Sequence, residues 1–400
     1  MLKKSYILVI ALCLCLTGCD KEQVVNESVT EYNETEFEEL EELDTEEPTE
    51  IIEEVTEVVE EERKTGTVTF CAVGDNLFHK NLINGGLQSD NTYNFDSVYK
   101  NIKSYISSFD LSVVNQETVF VDNRDDISSY PCFGTPTEVG DALINTGFDI
   151  FLGATNHAYD KGINGIRSTV SYYNKHPEIS HVGIYDNEES YNNVEIVEKN
   201  NIRIAILNYT YGLNGFVIPE NYNYLVNTIE NVEKMERDLA YAEENADITI
   251  VFPHWGTEYV YEPNEDQYNF AEFLTQNGAD VIIGSHPHVV EPATYIESEN
   301  GNMSLCYFSL GNFVSGQMEE ERLLGGIASF NIVKTETDTH IEEPLINPCV
   351  TYRTESDTTI YLLDDYTDKL AKKTIFKTSV DKFWDYWDKA NESTTIAYWR

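Results

Sequence analysis

The chain has 400 residues, 41% of them hydrophobic, enough to bury a large core in one big domain or two smaller ones. Its formal charge of -45 sets 71 acidic residues against 26 basic ones, and so sparse a supply of Lys and Arg excludes a binder of phosphate backbones: no nucleic-acid partner is expected. Aromatic residues at 12% exclude wholesale disorder.

At the start, Lys3 and Lys4 precede an apolar run from Ile7 to Leu16, long enough for the core of a signal peptide and too short for a transmembrane helix. The run closes on Leu16-Thr17-Gly18-Cys19, small residues directly before a cysteine, which resembles a bacterial lipobox. That resemblance implies a lipoprotein signal peptide over 1–18, lipidation of Cys19, and an extracytoplasmic protein anchored by lipid to the bacterial cell membrane. Residues 19–67 read as a disordered acidic linker. Roughly twenty of the 71 acidic residues crowd between Asp20 and Glu62, where like charges repel and too little apolar surface exists to offset the entropy of ordering.

The folded region is expected over 68–400. Val68 to Val73 is a near-continuous apolar strand that runs into Gly74-Asp75-Asn76 and then His79. A second strand, Leu111 to Val114, ends on Asn115-Gln116-Glu117, and a third, Asp149 to Gly153, ends on Ala154-Thr155-Asn156-His157. Helical patterns cover Val139 to Thr146 and Gly165 to Asn174. Val194 to Val197 and Ile202 to Tyr209 form a hairpin around Lys199-Asn200-Asn201, followed by a helix over Val232 to Asn245. The strand Asp247 to Phe252 delivers Pro253-His254-Trp255-Gly256. A helix over Glu265 to Asn277 leads to Val281-Ile282-Ile283 and its loop Gly284-Ser285-His286-Pro287-His288. Leu305 to Phe313 and Gly326 to Val333 are further strands, Thr359 to Leu363 is another, and Val380 to Asn391 is an amphipathic helix whose Phe383, Trp384 and Trp387 share a core-facing side. Strands alternating with helices early and hairpin-like strands late describe an α/β sandwich. Of seven cysteines, none form a C-x-x-C, and Cys71 and Cys306 fall inside apolar strands as small buried hydrophobes.

A lone H-x-H is more often a pair of solvated turn residues than a metal site. Here, however, Asp75, Glu117, Asn156, His157, His254, His286 and His288 all stand one to three residues past an apolar strand, and five of the 8 histidines occupy such loops once His79 is counted. Open sheets place their sites at strand ends, and a mixed shell of carboxylate, amide and imidazole suits one or two divalent metal ions, Mn, Fe or Zn.

The successive motifs Gly74-Asp75, Asn115-Gln116-Glu117, Asn156-His157, His254-Trp255-Gly256, Gly284-Ser285-His286-Pro287-His288 and Ser309-Leu310-Gly311-Asn312-Phe313 resemble those of the CapA family of poly-γ-glutamate capsule biosynthesis proteins, whose domain resembles calcineurin-like metallophosphatases. The match covers about residues 68–335, leaving 336–400 as a carboxyl-terminal extension. The resemblance implies a four-layer metallophosphatase-like sandwich, two mixed β-sheets flanked by helices. It implies Asp75, Glu117, Asn156, His254, His286 and His288 as metal ligands, with His157 as a general acid. Asn115 and Asn312 are further candidates by motif. His79 has no counterpart and could replace a missing imidazole, since Asp75 is followed by Asn76 and Leu77 and no Asp-x-His is present.

The leading expectation is therefore a surface lipoprotein acting in synthesis or export of a poly-γ-glutamate-like capsule, with the anionic polymer and membrane-bound synthase components as partners. The alternative is a metal-dependent hydrolase, a phosphoesterase or amidase with metal-activated water. A third reading is a binding module whose cluster is vestigial.

Overall fold

A computed structural model describes residues 64–398; the expected signal peptide, Cys19 and most of the expected acidic linker lie outside the described residues. Strand β1 (Gly66–Leu77) begins two residues before the expected start at Val68 and lies parallel to β2 (Leu111–Gln116). The short β3 (Phe120–Val121) and β4 (Thr135–Pro136) pair with each other, while β5 (Ile150–Leu152) and β6 (Ser180–Val182) extend the first sheet in parallel. The hairpin β7 (Glu195–Lys199) and β8 (Ile202–Thr210) opens a second sheet, completed by β9 (Ile248–His254), β10 (Val281–Ile283), β11 (Val290–Glu297) and β12 (Met303–Leu310).

The chain then returns to the first sheet. Leu305 to Phe313, expected as one strand, divides at Gly311: β12 belongs to the second sheet, and β13 (Asn312–Ser315) pairs with β1 in the first. Gly311 sits at φ +61°, a left-handed turn that glycine adopts without steric cost. β14 (Leu324–Lys334), β15 (Thr339–Arg353) and β16 (Thr358–Leu362) add antiparallel neighbours beyond β1, with β17 (Ala397–Tyr398) against β15. Both sheets are mixed.

Side-chain alternation along the strands shows how the layers stack. Phe70 and Ala72 of β1 face inward to meet Ile204, Ile206, Ile250 and Ile283 of the second sheet. Cys71 and Val73 face outward, against the helices Glu138–Thr146 and Gly162–Tyr173 through Val139, Leu143, Ile166 and Val170. On the far side, Leu207, Val251 and Ile282 meet Met235 and Leu239 of helix Val232–Asn245 and Ala271 and Leu274 of helix Glu265–Gln276. The result is the expected helix, sheet, sheet, helix sandwich. Each buried Ile, Leu or Phe contributes roughly 1.5–3 kcal/mol. Strands covered on both faces need apolar residues at every position, which is why they read as unbroken runs in the sequence.

Asn231 and Asn264 cap the two outer helices by accepting the N–H groups of Lys234 and Gln267. Phe383 and Trp387 of helix Val380–Ala390 are buried in the core, with Trp384 packed beside them, as the aromatic stripe implied. Cys71, Cys132, Cys306 and Cys349 are free thiols, Cys71 and Cys306 among the buried ones.

Candidate metal centre

The parallel strands β1, β2 and β5 deliver Asp75, Glu117 and Asn156 to one edge of the first sheet; β9 and β10 deliver His254, His286 and His288 to the same edge of the second. The two edges are joined by Asn208 of β8. Its Oδ1 accepts the N–H groups of Gly153 (3.1 Å) and Ala154 (2.7 Å) in the first sheet, and its Nδ2 donates to Phe252 O (2.8 Å) in the second. Gly74 marks another closure, because a Cβ there would meet the Gly311 carbonyl oxygen at 1.9 Å, the same oxygen that accepts the Asp75 N–H at 2.9 Å.

Asp75 is fully buried. Its Oδ1 accepts from Asn115 Nδ2 (2.8 Å) and from the His286 N–H (3.4 Å), and its Oδ2 accepts from His288 Nδ1 (2.9 Å). Glu117 lies on the other side of the same imidazole, with His288 Nε2 3.8 Å from its Oε1. One donor atom each from Asp75, Glu117 and His288 falls within 4.8 Å of the others. His286 and His288 both occupy the left-handed region, at φ +102° and +59°, on either side of Pro287. Such backbone costs of order 1–3 kcal/mol per residue and persists where surrounding contacts enforce it.

The electrostatics follow from burial. Burial pushes the Glu117 carboxyl well above the usual carboxylate range, with Asp75 adding to the shift and His288 opposing it. Burial also works against a charged His288, but the Glu117 and Asp75 carboxylates prevail and raise it to about 9. His254 and His286 have no such partners. Burial and their imidazole neighbours push His254 far below its ordinary value and His286 down to about 3, so both stay neutral and keep a lone pair.

Both carboxylate oxygens of Glu117 and the Nδ1 of His286 are buried without a hydrogen-bond partner. Orphaned polar atoms of this kind are costly, and their chemistry, a carboxyl oxygen pair that a cation would hold ionised and a neutral imidazole, is that of ligands for a divalent metal. His254 Nε2 lies 3.0 Å from Asn156 Oδ1, and its Nδ1 is 2.9 Å from Ser285 Oγ, which fixes the ring from behind. The residues therefore fit a divalent metal. Asp75, Glu117 and His288 form one group, and Asn156, His254 and His286 gather beside it, the His254 and His286 rings 4.9 Å apart and those of His286 and His288 5.9 Å apart.

The remaining candidates take other places. His157 lines the neighbouring cleft, its Nδ1 donating to Asp160 Oδ2 at 2.7 Å and its ring edge-on to Phe133 at 4.8 Å. His79 does not replace an imidazole beside Asp75; His288 holds that position. Instead the His79 Nδ1 accepts the Gly316 N–H (3.1 Å), its ring packs on the other contact of Phe133 at 5.1 Å, and burial pushes it down to about 4. Asn115 orients Asp75, and Asn312 donates to His288 O (3.3 Å), Gln317 Oε1 (3.0 Å) and Arg322 O (3.0 Å) from behind the loop.

Three contributors have no role in the sequence expectation: Asp160, Ser285, which appears there only as part of its motif, and Asn214, the last accepting from Asn156 Nδ2 at 3.2 Å and standing 3.3 Å from His157 Nδ1. The three-residue step from His157 to Asp160 was the available signal for one of them. Asn214 sits on a loop with φ +51° and carries no local pattern.

Two curated relatives come from bacilli. PGA biosynthesis protein CapA of Bacillus subtilis (strain 168) is 33% identical over 177 residues, 44% of this chain and 44% of that protein. Capsule biosynthesis protein CapA of Bacillus anthracis is 26% identical over 265 residues, 64% of this chain and 61% of that protein. The matched region thus spans less than two thirds of either relative. Among solved structures, the NAD nucleotidase NadN of Haemophilus influenzae overlays with a TM-score of 0.42 and 11% identity, over 82% of this chain and 60% of that one. Residues 69–317, which carry every side chain of the centre from Asp75 to Asn312, match the family model of the bacterial capsule synthesis protein PGA_cap, and the chain belongs to that family.

Proposed function

We propose that this protein acts in the synthesis or export of a poly-γ-glutamate-like capsule polymer as a surface lipoprotein, anchored through Cys19, whose folded domain holds one or two divalent metal ions. The observation that carries this reading is the unpartnered, buried Glu117 carboxylate beside the Asp75–His288 pair, a donor set without purpose in a vestigial module. Asp75, Glu117 and His288, with Asn156, His254 and His286, would hold the metal. Bound there, it would supply a positive charge able to grip carboxylates and acidify water. At physiological salt the Debye length is about 8 Å, so the acidic linker is screened from the polymer while contacts inside the cleft are not. The anionic polymer and membrane-bound synthase components are the proposed partners.

The alternative, a metal-dependent hydrolase acting on a phosphoester or amide bond, is favoured by one observation. Asp160 orients His157, so that its other ring nitrogen could deliver a proton at the cleft. Capsule formation in cells separates the two. Cells lacking the protein are expected to lose polymer, and full capsule in their absence would overturn the proposal. His157→Ala is expected to keep metal and support capsule; loss of capsule with metal and folding intact would transfer the account to hydrolysis.

A further inference from the structure

The centre opens into a cleft of about 510 Å³ whose walls include Phe133, His157, Phe216, Glu258 and Tyr259. Among the described residues no Lys or Arg lines it, and Glu258 is the acid that does. Glu258 is held in place by its neighbour: the Tyr259 N–H donates to Pro287 O at 2.7 Å and its ring stacks on His288 at 5.9 Å, tying this turn to the histidine loop. The nearby cations are engaged elsewhere. Arg322 lies over the Tyr259 ring at 3.4 Å and pairs with Glu319 at 2.7 Å, and Arg353 donates to the carbonyls of Ser315 and Gln317.

A γ-linked glutamate chain carries an α-carboxylate on every residue but an α-ammonium at one end only. An internal segment entering this cleft would set successive carboxylates against Glu258, with no lysine or arginine in the wall to relieve the repulsion. The amino-terminal residue differs, because it offers a carboxylate toward the metal side and an ammonium toward Glu258. We infer that the cleft selects the amino-terminal end of the polymer, with Glu258 as the residue that recognises its ammonium group. This rests on the proposed function, and it narrows the substrate from an anionic polymer to a zwitterionic chain end.

The test is calorimetric titration of the full chain, loaded with manganese, with a γ-linked glutamate hexamer bearing a free amine and with its N-acetylated counterpart, which keeps every carboxylate. The free-amine hexamer is expected to bind about tenfold more tightly. Glu258→Gln, an exposed change that should leave the melting temperature in place, is expected to bring the ratio close to one. Equal, metal-dependent binding of both hexamers by the unmodified protein, or a ratio unchanged in Glu258→Gln, would overturn the inference and leave the proposed function standing. Failure of the metal-loaded protein to bind either hexamer would overturn both.

Discussion

His288 Nδ1 lies 2.9 Å from Asp75 Oδ2 across 213 positions of sequence. The bond joins a loop of the second sheet to a strand end of the first, so the centre exists only where the two sheets close on each other. Its strength depends on protonation.

A histidine raised to about 9 in the folded state contributes stability that is whole below its unfolded value of 6.5 and is lost as the pH climbs through about 9. His286 at about 3, with His79 and His181 at about 4, all lowered by burial, act on the acid side. These groups take up protons more readily when unfolded, so stability falls as the pH drops below 6.5. Metal-free protein should melt at its highest temperature near that value and lower on either side. Thermal melts in EDTA check this. His288→Gln should make the alkaline limb shallower, leaving the part that Glu291, raised to about 8 by burial, contributes, and a limb of unchanged depth in His288→Gln would contradict the assignment.

Asp160 Oδ2 accepts from both His157 Nδ1 and the Phe133 N–H, each at 2.7 Å. Asp160→Ala leaves a buried N–H unpaired as well as freeing the imidazole, and should cost about 2 kcal/mol by urea unfolding. His157→Ala leaves Asp160 its backbone partner and should cost less. The reverse order would show that His157 is mainly a packing residue.

Asn208→Ala should destabilise by roughly 2 kcal/mol, because the Ala154 N–H and the Phe252 carbonyl lose its side chain where the sheets meet, while the Gly153 N–H keeps its bond to Val182 O at 2.9 Å. A loss below about 1 kcal/mol would mean that the seam is held by packing alone.

Gly74→Ala tests the other closure. With the Gly311 oxygen 1.9 Å from the added carbon, β1 and the crossover at Gly311 must separate, moving Asp75 from His288. Lowered metal affinity together with a lower melting temperature is expected; an unaltered affinity would show that the backbone approach does not set the centre.

Much of this architecture was legible in the sequence because its strands are covered on both faces. The runs at Val68, Leu111, Ile202 and Val281 admit few readings, and each hands its polar residues to the next loop. Val290–Glu297 and Thr339–Arg353 were not legible as strands. Both contain Pro and Glu, which argue against a strand locally, and tertiary packing overrides them: Glu291 is fully buried with Gln267 Nε2 donating to it at 2.7 Å. The division at Gly311 was hidden because apolar residues continue through the switch between sheets. At the centre, strand-end placement revealed the ligand candidates, but which imidazole meets Asp75 depends on how the two sheets dock. His79 is nearer in sequence, and His288 is the one in contact.

Whether Asp75, Glu117 and the imidazoles hold a divalent metal is measured most directly by elemental mass spectrometry on protein purified with manganese, iron and zinc supplied. The unmodified chain should retain one or two ions and lose thermal stability in EDTA. Asp75→Ala and His286→Ala should each weaken retention at least about tenfold and abolish the effect of EDTA. Equal metal content and equal EDTA response in all three proteins would contradict a metal centre at this site.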